Sequence, residues 1–539
     1  MACNTVTVVA LPDDLLPPMA WNAWGDPDLA KPLSPGIRSL LEQALGITGG
    51  EIPPPGIDEV RPTPSALNDE HRAALAAIVG DRHLRTDDRD RLLHAGGKST
   101  PDLLRRRAIE QDAPDAVLLP GSEDEVAAIL DYCSRHRIAV VPFGGGTSVV
   151  GGLDPDRGDF GAVVTLDLRR FDALHWLDEV SGEAVLGAGL PGPEAERLLG
   201  ERGFSLGHFP QSFRFASLGG FAATRSSGQN SAGYGRFTDM LRGMRVVTPA
   251  GVLDVGRAPA SAAGPDLREL FAGSEGTFGV ITRVRVRVHP VPDCVRYEAW
   301  SFPDFATGAD ALRAVVQTGT GPTVLRLSDE VETGINLATT HSIGEQTVTG
   351  GCLAITVFEG TPEHAASRHA ETAALLAVHG GTSLGEEPAR AWERGRFDAP
   401  YLRDSLLTAG ALCETLETAT SWSNVPALKA AVTEALTGSL GTALVMCHIS
   451  HLYPTGASLY FTVVAAQRGD AAEQWRTAKA AASAAIIANG GTITHHHAVG
   501  ADHRPWMTEE IGDLGAQVLR AVKRTLDPAG ILNPGKLIP

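Results

Sequence analysis

The sequence predicts an α+β protein of two or more domains. Of its 539 residues 43% are apolar and 20% charged, enough for a sizeable core and more than one domain. Short apolar runs of strand type alternate with segments of helical period, and no apolar stretch approaches the length of a membrane span.

Taken in chain order, residues 1 to about 60 are rich in Pro, Gly and Trp, with one helix expected over Gly36–Leu45, and read as an arm packed on the main body. The polar, arginine-rich stretch Asp69–Asp112 reads as mostly helical. Ala116–Pro120 is a short strand. Ser122 and Glu125 then form a capping box, before a helix whose Val126, Ile129, Leu130 and Cys133 make one buried stripe. Ile138–Val141 is a buried strand. Ile281, Val284, Val286 and Val288, interleaved with Arg285 and Arg287, form a strand with one wet face. Pro290 and Pro292 break the chain there. Residues 293–480 suit a second α+β domain. A helix is expected over Glu509–Leu526, with Ile511, Leu514, Val518, Leu519 and Val522 at helical spacing, ending at Asp527-Pro528-Ala529-Gly530. The expected divisions are 1–111, 112–290, 291–485 and 486–539.

The formal charge of −18 disfavours nucleic acid and anionic membranes as partners. The segment Val6–Met19 is broken by Pro and Asp too early for a signal peptide. The six scattered cysteines read as ordinary thiols rather than a disulfide framework. With no terminal Ser-Lys-Leu, a cytoplasmic location is expected.

The strongest local signal is Val141-Pro142-Phe143-Gly144-Gly145-Gly146-Thr147-Ser148, directly after a buried strand. Successive glycines let the backbone approach a ligand, and a nest of N–H groups can accept phosphate oxygens. Alone, such a turn is more often structural. The Rossmann spacing fails, because Gly146 is followed by no third glycine at the required interval, and a Walker lysine is absent. Three further segments follow in order: Gly207-His208-Phe209-Pro210-Gln211-Ser212; Ser217-Leu218-Gly219-Gly220-Phe221 with Thr224-Arg225-Ser226-Ser227-Gly228; and Gly273-Ser274-Glu275-Gly276-Thr277-Phe278-Gly279-Val280-Ile281-Thr282.

Together these segments resemble the FAD-binding domain of the vanillyl-alcohol oxidase / p-cresol methylhydroxylase (PCMH-type) superfamily. The resemblance implies a two-subdomain FAD-binding domain, an α+β cap domain over the substrate, and a C-terminal helical segment returning to the flavin. It implies cofactor contacts from Pro142 through Ser148, His208, Gln211, Ser212, Ser217, Gly219, Thr224, Arg225, Ser226, Ser227, Glu275, Gly276, Thr277, Gly279, Val280 and Ile281. Within the superfamily the chain is most similar to the alkyldihydroxyacetonephosphate synthase family, through Trp21-Asn22-Ala23-Trp24-Gly25, Val247-Thr248-Pro249-Ala250-Gly251 and Ala488 through His497. That implies exchange of the acyl group of acyl-dihydroxyacetone phosphate for a fatty alcohol through a flavin N5 adduct. The alternative is an FAD oxidase or dehydrogenase of a hydroxy acid, alcohol or specialised metabolite.

On a strand, His495 and His497 would share a face. Such a pair suits acid–base chemistry, phosphate contact or a metal; the resemblance implies no metal, and none is expected. Tyr460 alternates with Leu459 and Phe461, and by pattern alone could be a packing residue. The resemblance makes it an acid/base tyrosine working with His495, His496 and His497. It also makes Arg403 a substrate-binding residue and Arg326 a second arginine needed for activity. A guanidinium suits phosphate or carboxylate, so a locally cationic pocket and an anionic small-molecule or lipid substrate are expected. The FAD is expected to be non-covalent, since the glycine-rich turn carries no histidine, and a homodimer is possible. Departures from the family are Ser217 in place of threonine, Ala498 in place of glycine, and no basic run after it.

Overall fold

The structure, a computed structural model, describes residues 19–339 and 351–539; most of the segment Val6–Met19, and Cys3, lie outside them. The described residues build three main sheets. In the first, Ile138–Phe143 pairs in parallel with Ala162–Asp167, which pairs in parallel with Ala116–Leu118; Leu84–Arg85 closes the edge antiparallel. Burial on both faces accounts for the unbroken apolar run Ile138–Val141. The helix Glu123–His136 buries Val126, Ile129, Leu130 and Cys133 against this sheet. Ser122 Oγ accepts the Glu125 N–H at 3.2 Å, but the Glu125 carboxylate takes the N–H of Gly121 at 2.7 Å. The expected reciprocal box is therefore displaced by one residue.

The second sheet is antiparallel, in the order Gly251–Val255, Leu241–Thr248, Val280–Arg287, Glu183–Gly187, Leu174–Asp178. Ile281, Val284, Val286 and Val288 enter its core with Phe221, Phe237 and Phe278. The opposite face is less wet than the alternation predicts. Arg287 is exposed, but Arg283 and Arg245 reach Glu123 on the first layer's helix at 3.2 and 2.6 Å.

The third sheet carries Thr382–Gly385, Cys294–Phe302, Cys352–Gly360, Val324–Ser328, Ala443–Ile449, Gly456–Ala466 and Ala411–Ser421 in that order, all antiparallel, with Leu452–Tyr453 at its side. One face is sealed by Phe305–Thr318, Val425–Leu440 and Ala471–Ala488, which share a core with Leu459, Phe461 and Val463. By the period of two, Tyr460 and Thr462 turn to the other face. The register sets Ser328 opposite His448, His448 opposite Tyr460, and Tyr460 opposite Glu417. Four polar side chains thus cross the sheet in one row.

The N-terminal arm does pack on the body. The helix Pro35–Leu45 lays Leu41 and Leu45 on Leu406 and Met446, and Trp24 meets the edge of Phe215 at 5.9 Å. About half of the stretch from Asp69 is helical, in Asp69–Val79, Asp88–Leu93 and Thr100–Arg105. The C-terminal helix runs Met507–Leu526 and kinks at Gly512 (φ 75°, ψ 163°). Its expected single stripe is two faces: Leu519 and Val522 pack on the second core, whereas Leu514 and Val518 are 72% and 53% exposed. Beyond it, Ile531 to Asn533 lies beside Val140, completing the first sheet's edge. Among the described residues Cys133, Cys352, Cys413 and Cys447 are buried free thiols. Among the described residues no helix is long and apolar enough to cross a membrane.

Candidate active site

A cavity of about 580 Å³ lies between the glycine-rich turn and the polar face of the third sheet, a size suited to a cofactor or small ligand. All of Pro142–Ser148 lines it, with Gln211, Ser212, Ser217, Gly219, Thr224, Ser226, Ser227, Glu275, Gly276, Gly279 and Ile281. The turn needs its glycines for packing as much as for a ligand. A Cβ on Gly145 would sit 1.9 Å from the Phe215 carbonyl oxygen, and Gly146 has φ +70°, a conformation costly to other residues. Ser217 caps the helix Leu218–Ala223 through the Gly220 N–H at 3.2 Å, so its hydroxyl is in use whether or not a methyl is present.

Four expected cofactor residues stand behind the wall. His208 is buried between Phe221 and Phe237 with Nε2 3.0 Å from Ser226 Oγ. Arg225 pairs with Glu269 at 2.7 Å, the Thr277 side chain is buried off the cavity, and Val280 belongs to the first sheet's core. Alternation along Val280–Arg287 explains the last: Ile281 faces in, so Val280 cannot. The fit to a flavin nucleotide rests on unpaired groups. Gln211 Nε2, Ser227 Oγ and Gln229 Oε1 are buried, line the cavity and have no protein partner, a state that buried polar atoms avoid unless a ligand meets them.

Glu275 closes the wall, accepting the N–H groups of Val499 and Gly500 at 2.8 and 2.7 Å. This bends the chain through Ala498, which takes φ 72°; the family's glycine would relieve that strain. Burial pushes the Glu275 carboxyl up from 4.5 to about 7, against the pull of those two N–H groups. A raised folded-state value means stability is fully present below about 4.5 and lost as pH rises through 7. The Glu275→Gln variant should therefore gain roughly 3 kcal/mol relative to wild type between pH 4.5 and 8. Melting curves recorded over that range check this; a constant difference between the two proteins would refute it.

Opposite the turn, Tyr460 stacks on His448 at 4.8 Å and 13°, and lies 5.9 and 5.4 Å from the rings of His496 and His497. Burial raises the Tyr460 hydroxyl well above its ordinary value, so it stays protonated at neutral pH. His495, His496 and His497 do not alternate on a strand. They occupy a bent loop, where neighbouring rings touch at 5.2 and 4.8 Å. His496 and His497 line the cavity, whereas His495 lies behind them with Nε2 2.6 Å from the Tyr453 hydroxyl. The loop is pinned by Glu417, which accepts the N–H of His495 at 2.6 Å and of His497 at 3.0 Å and the Thr494 hydroxyl at 2.5 Å.

The expected cationic pocket is corrected. Arg326 is paired with Glu332, and Arg403, on the helix Ala399–Thr408, is paired with Asp404 at 2.8 Å and donates to the Lys98 carbonyl at 2.6 Å. Burial lowers His495 and His497 to about 3, so they are neutral at pH 7. Burial alone would raise Glu332, but His448 and Arg326 outweigh it and hold the carboxyl at about 2. Buried cations need counter-charges, and the apolar flanks that flagged these arginines carry no trace of distant partners. His448 Nδ1 lies 2.9 Å from both Arg326 Nη2 and Glu332 Oε2, accepting from one or donating to the other according to its proton.

The sequence reading missed Glu417, Glu332, His448 and Arg396. An acidic or imidazole side chain inside an apolar strand, as in Ala411–Ser421 and Ala443–Ile449, was the available signal for Glu417 and His448. Arg396 had none. Its guanidinium lies 5.0 Å over both Phe209 and Phe397, touches Asn230 Oδ1 at 3.5 Å, lines the cavity, and forms no ion pair among the described residues.

Residues 114–256 match the model of the FAD binding domain, and residues 291–537 that of the FAD linked oxidases' C-terminal domain. The fold and site therefore define an FAD-linked flavoenzyme. The solved p-cresol methylhydroxylase shares the fold, with a TM-score of 0.65 at 16% identity over 87% of this chain and 96% of its own. The alkyldihydroxyacetonephosphate synthase of Trypanosoma brucei brucei is 32% identical, over 98% of this chain and 93% of its own. A solved alkyldihydroxyacetonephosphate synthase superposes with a TM-score of 0.83 at 30% identity, over 97% of this chain and all of its own length. The chain belongs to the alkyldihydroxyacetonephosphate synthase family.

Proposed function

We propose that the protein replaces the acyl group of an acyl-dihydroxyacetone phosphate with a long-chain alcohol, releasing a fatty acid. The observation that carries this reading is Tyr460 facing the cavity between His448 and the His496–His497 loop, in a chain similar to the synthases over almost its whole length. Bound FAD supplies the electron-accepting ring that activates the substrate carbon. The cofactor is held without a covalent bond: the segments 142–153, 210–212, 216–229 and 275–281 offer amide, hydroxyl and backbone groups but no histidine or cysteine. Tyr460 donates or retrieves a proton at the reacting oxygen, and neutral His497 relays it. The fatty acid leaves toward the apolar wall of Leu353, Ile355 and Trp392.

Incubating the flavoprotein with acyl-dihydroxyacetone phosphate and a fatty alcohol should yield the alkyl product and free fatty acid with no net flavin reduction. Anaerobic bleaching of the flavin by a hydroxy acid, without alkyl product, would instead establish the oxidoreductase alternative.

Arg396, which lines the cavity with no direct ion pair among the described residues although Glu393 and Glu359 lie within electrostatic range, takes the phosphate or carboxylate oxygens of the substrate. A charge-assisted hydrogen bond contributes about 1.5–3 kcal/mol. Arg396→Leu should therefore raise KM by roughly 10- to 100-fold with a smaller change in kcat. An unchanged KM in steady-state assays would remove Arg396 from this role.

A further inference from the structure

We propose that His451, His495 and His496 hold a divalent transition-metal ion of the zinc class, with an open position toward the cavity. One ligand nitrogen from each lies within 4.8 Å of the others. His495 Nδ1 and His496 Nδ1 are 2.9 Å apart, a separation that two imidazole nitrogens tolerate only across a shared proton or a shared cation. The remaining nitrogens of His451 and His495 are already occupied. Ser231 Oγ lies 2.7 Å from His451 Nδ1, and the Tyr453 hydroxyl 2.6 Å from His495 Nε2. Such outer partners fix tautomer and ring orientation in metal-ligating histidines, and they leave His451 Nε2 and His495 Nδ1 free to coordinate.

The ligands are preorganised. Glu417 clamps the backbone of the loop, and its carboxylate lies 3.5 Å from His496 Nδ1, placing a counter-charge beside the ion. The nearby cation Arg236 has its guanidinium 5.8 Å from the centre of the Tyr453 ring. Imidazoles without carboxylate ligands suit zinc, copper or nickel rather than magnesium or calcium. Three protein ligands with a vacant fourth position is the pattern of a site that binds water or a substrate oxygen; His451 and His496 both line the cavity. The proposal reverses the expectation of no metal drawn from the sequence, in which His451 stands 44 residues before His495 and nothing marks it as a partner. It does not depend on the substrate proposed above.

The test uses the untagged, chelator-treated flavoprotein titrated with Co²⁺, followed by visible ligand-field bands, and with Zn²⁺ in competition. One Co²⁺ per chain with tetrahedral-type bands, displaced by Zn²⁺, is expected. His451→Asn and His495→Asn should abolish the bands with flavin content retained, and removal of a surface imidazole by His379→Ala should leave them unchanged. Tyr453→Phe should weaken binding by roughly 10- to 100-fold. Absence of the bands, or their persistence in both histidine variants, overturns the proposal. If those variants lose flavin, Tyr453→Phe decides alone, and unchanged affinity there overturns it.

Discussion

Tyr460→Phe should lower kcat by roughly 10²- to 10⁴-fold, the range that one positioned acid–base group contributes, and leave the flavin bound. The substitution removes a single oxygen from a ring held on its faces by His448 and His496. The strand itself is secured by eleven register pairs with Ala411–Ser421, so packing is preserved. On the proposed role the tyrosine meets the substrate only at the reacting oxygen, so KM should move little. Flavin absorbance, melting temperature and steady-state rates distinguish this from misfolding. A variant retaining a tenth or more of wild-type turnover would take the proton-transfer role away from Tyr460.

Glu417→Ala should be the most destabilising change in the site. Its buried carboxylate accepts from His495 N, His497 N and the Thr494 hydroxyl, and its pKa stays well below the usual carboxylate range despite burial. Removal strands these donors at once, at a cost of about 3–5 kcal/mol. The denaturant midpoint should fall accordingly. Glu417→Gln keeps one acceptor oxygen but turns an amide NH₂ toward N–H donors. It should fold, hold FAD, and lose most activity as His496 and His497 drift from Tyr460. Wild-type stability in the alanine variant would show that the loop holds its shape unaided.

How much of this was readable beforehand follows from sequence distance. The turn Pro142–Ser148, the helix stripe Val126–Cys133 and the outward face of Tyr460 depend on neighbours within a few residues, and local periodicity displays them. Glu417 lies about 80 residues from the loop it clamps, and Glu332 about 116 from His448. No local pattern announces such meetings. The reading of a cationic pocket failed for that reason: it counted arginines and histidines without the carboxylates that other strands deliver. His208, Arg225, Thr277 and Val280 turn their side chains away from the cavity; motif membership does not say which side of a wall a side chain takes. The C-terminal helix failed because two apolar faces about 100° apart merge in a one-dimensional pattern.

The seam at Asn533 also imposes an order on biogenesis. Its amide donates to the carbonyls of Gly152 and Glu275, and the first of these contacts spans 381 residues. At ribosomal speeds of about 5–20 residues per second, roughly 20–80 s separate translation of the two partners. During that interval the nascent turn has no back wall, so tight loading of the nucleotide belongs to the period after residue 533 has emerged.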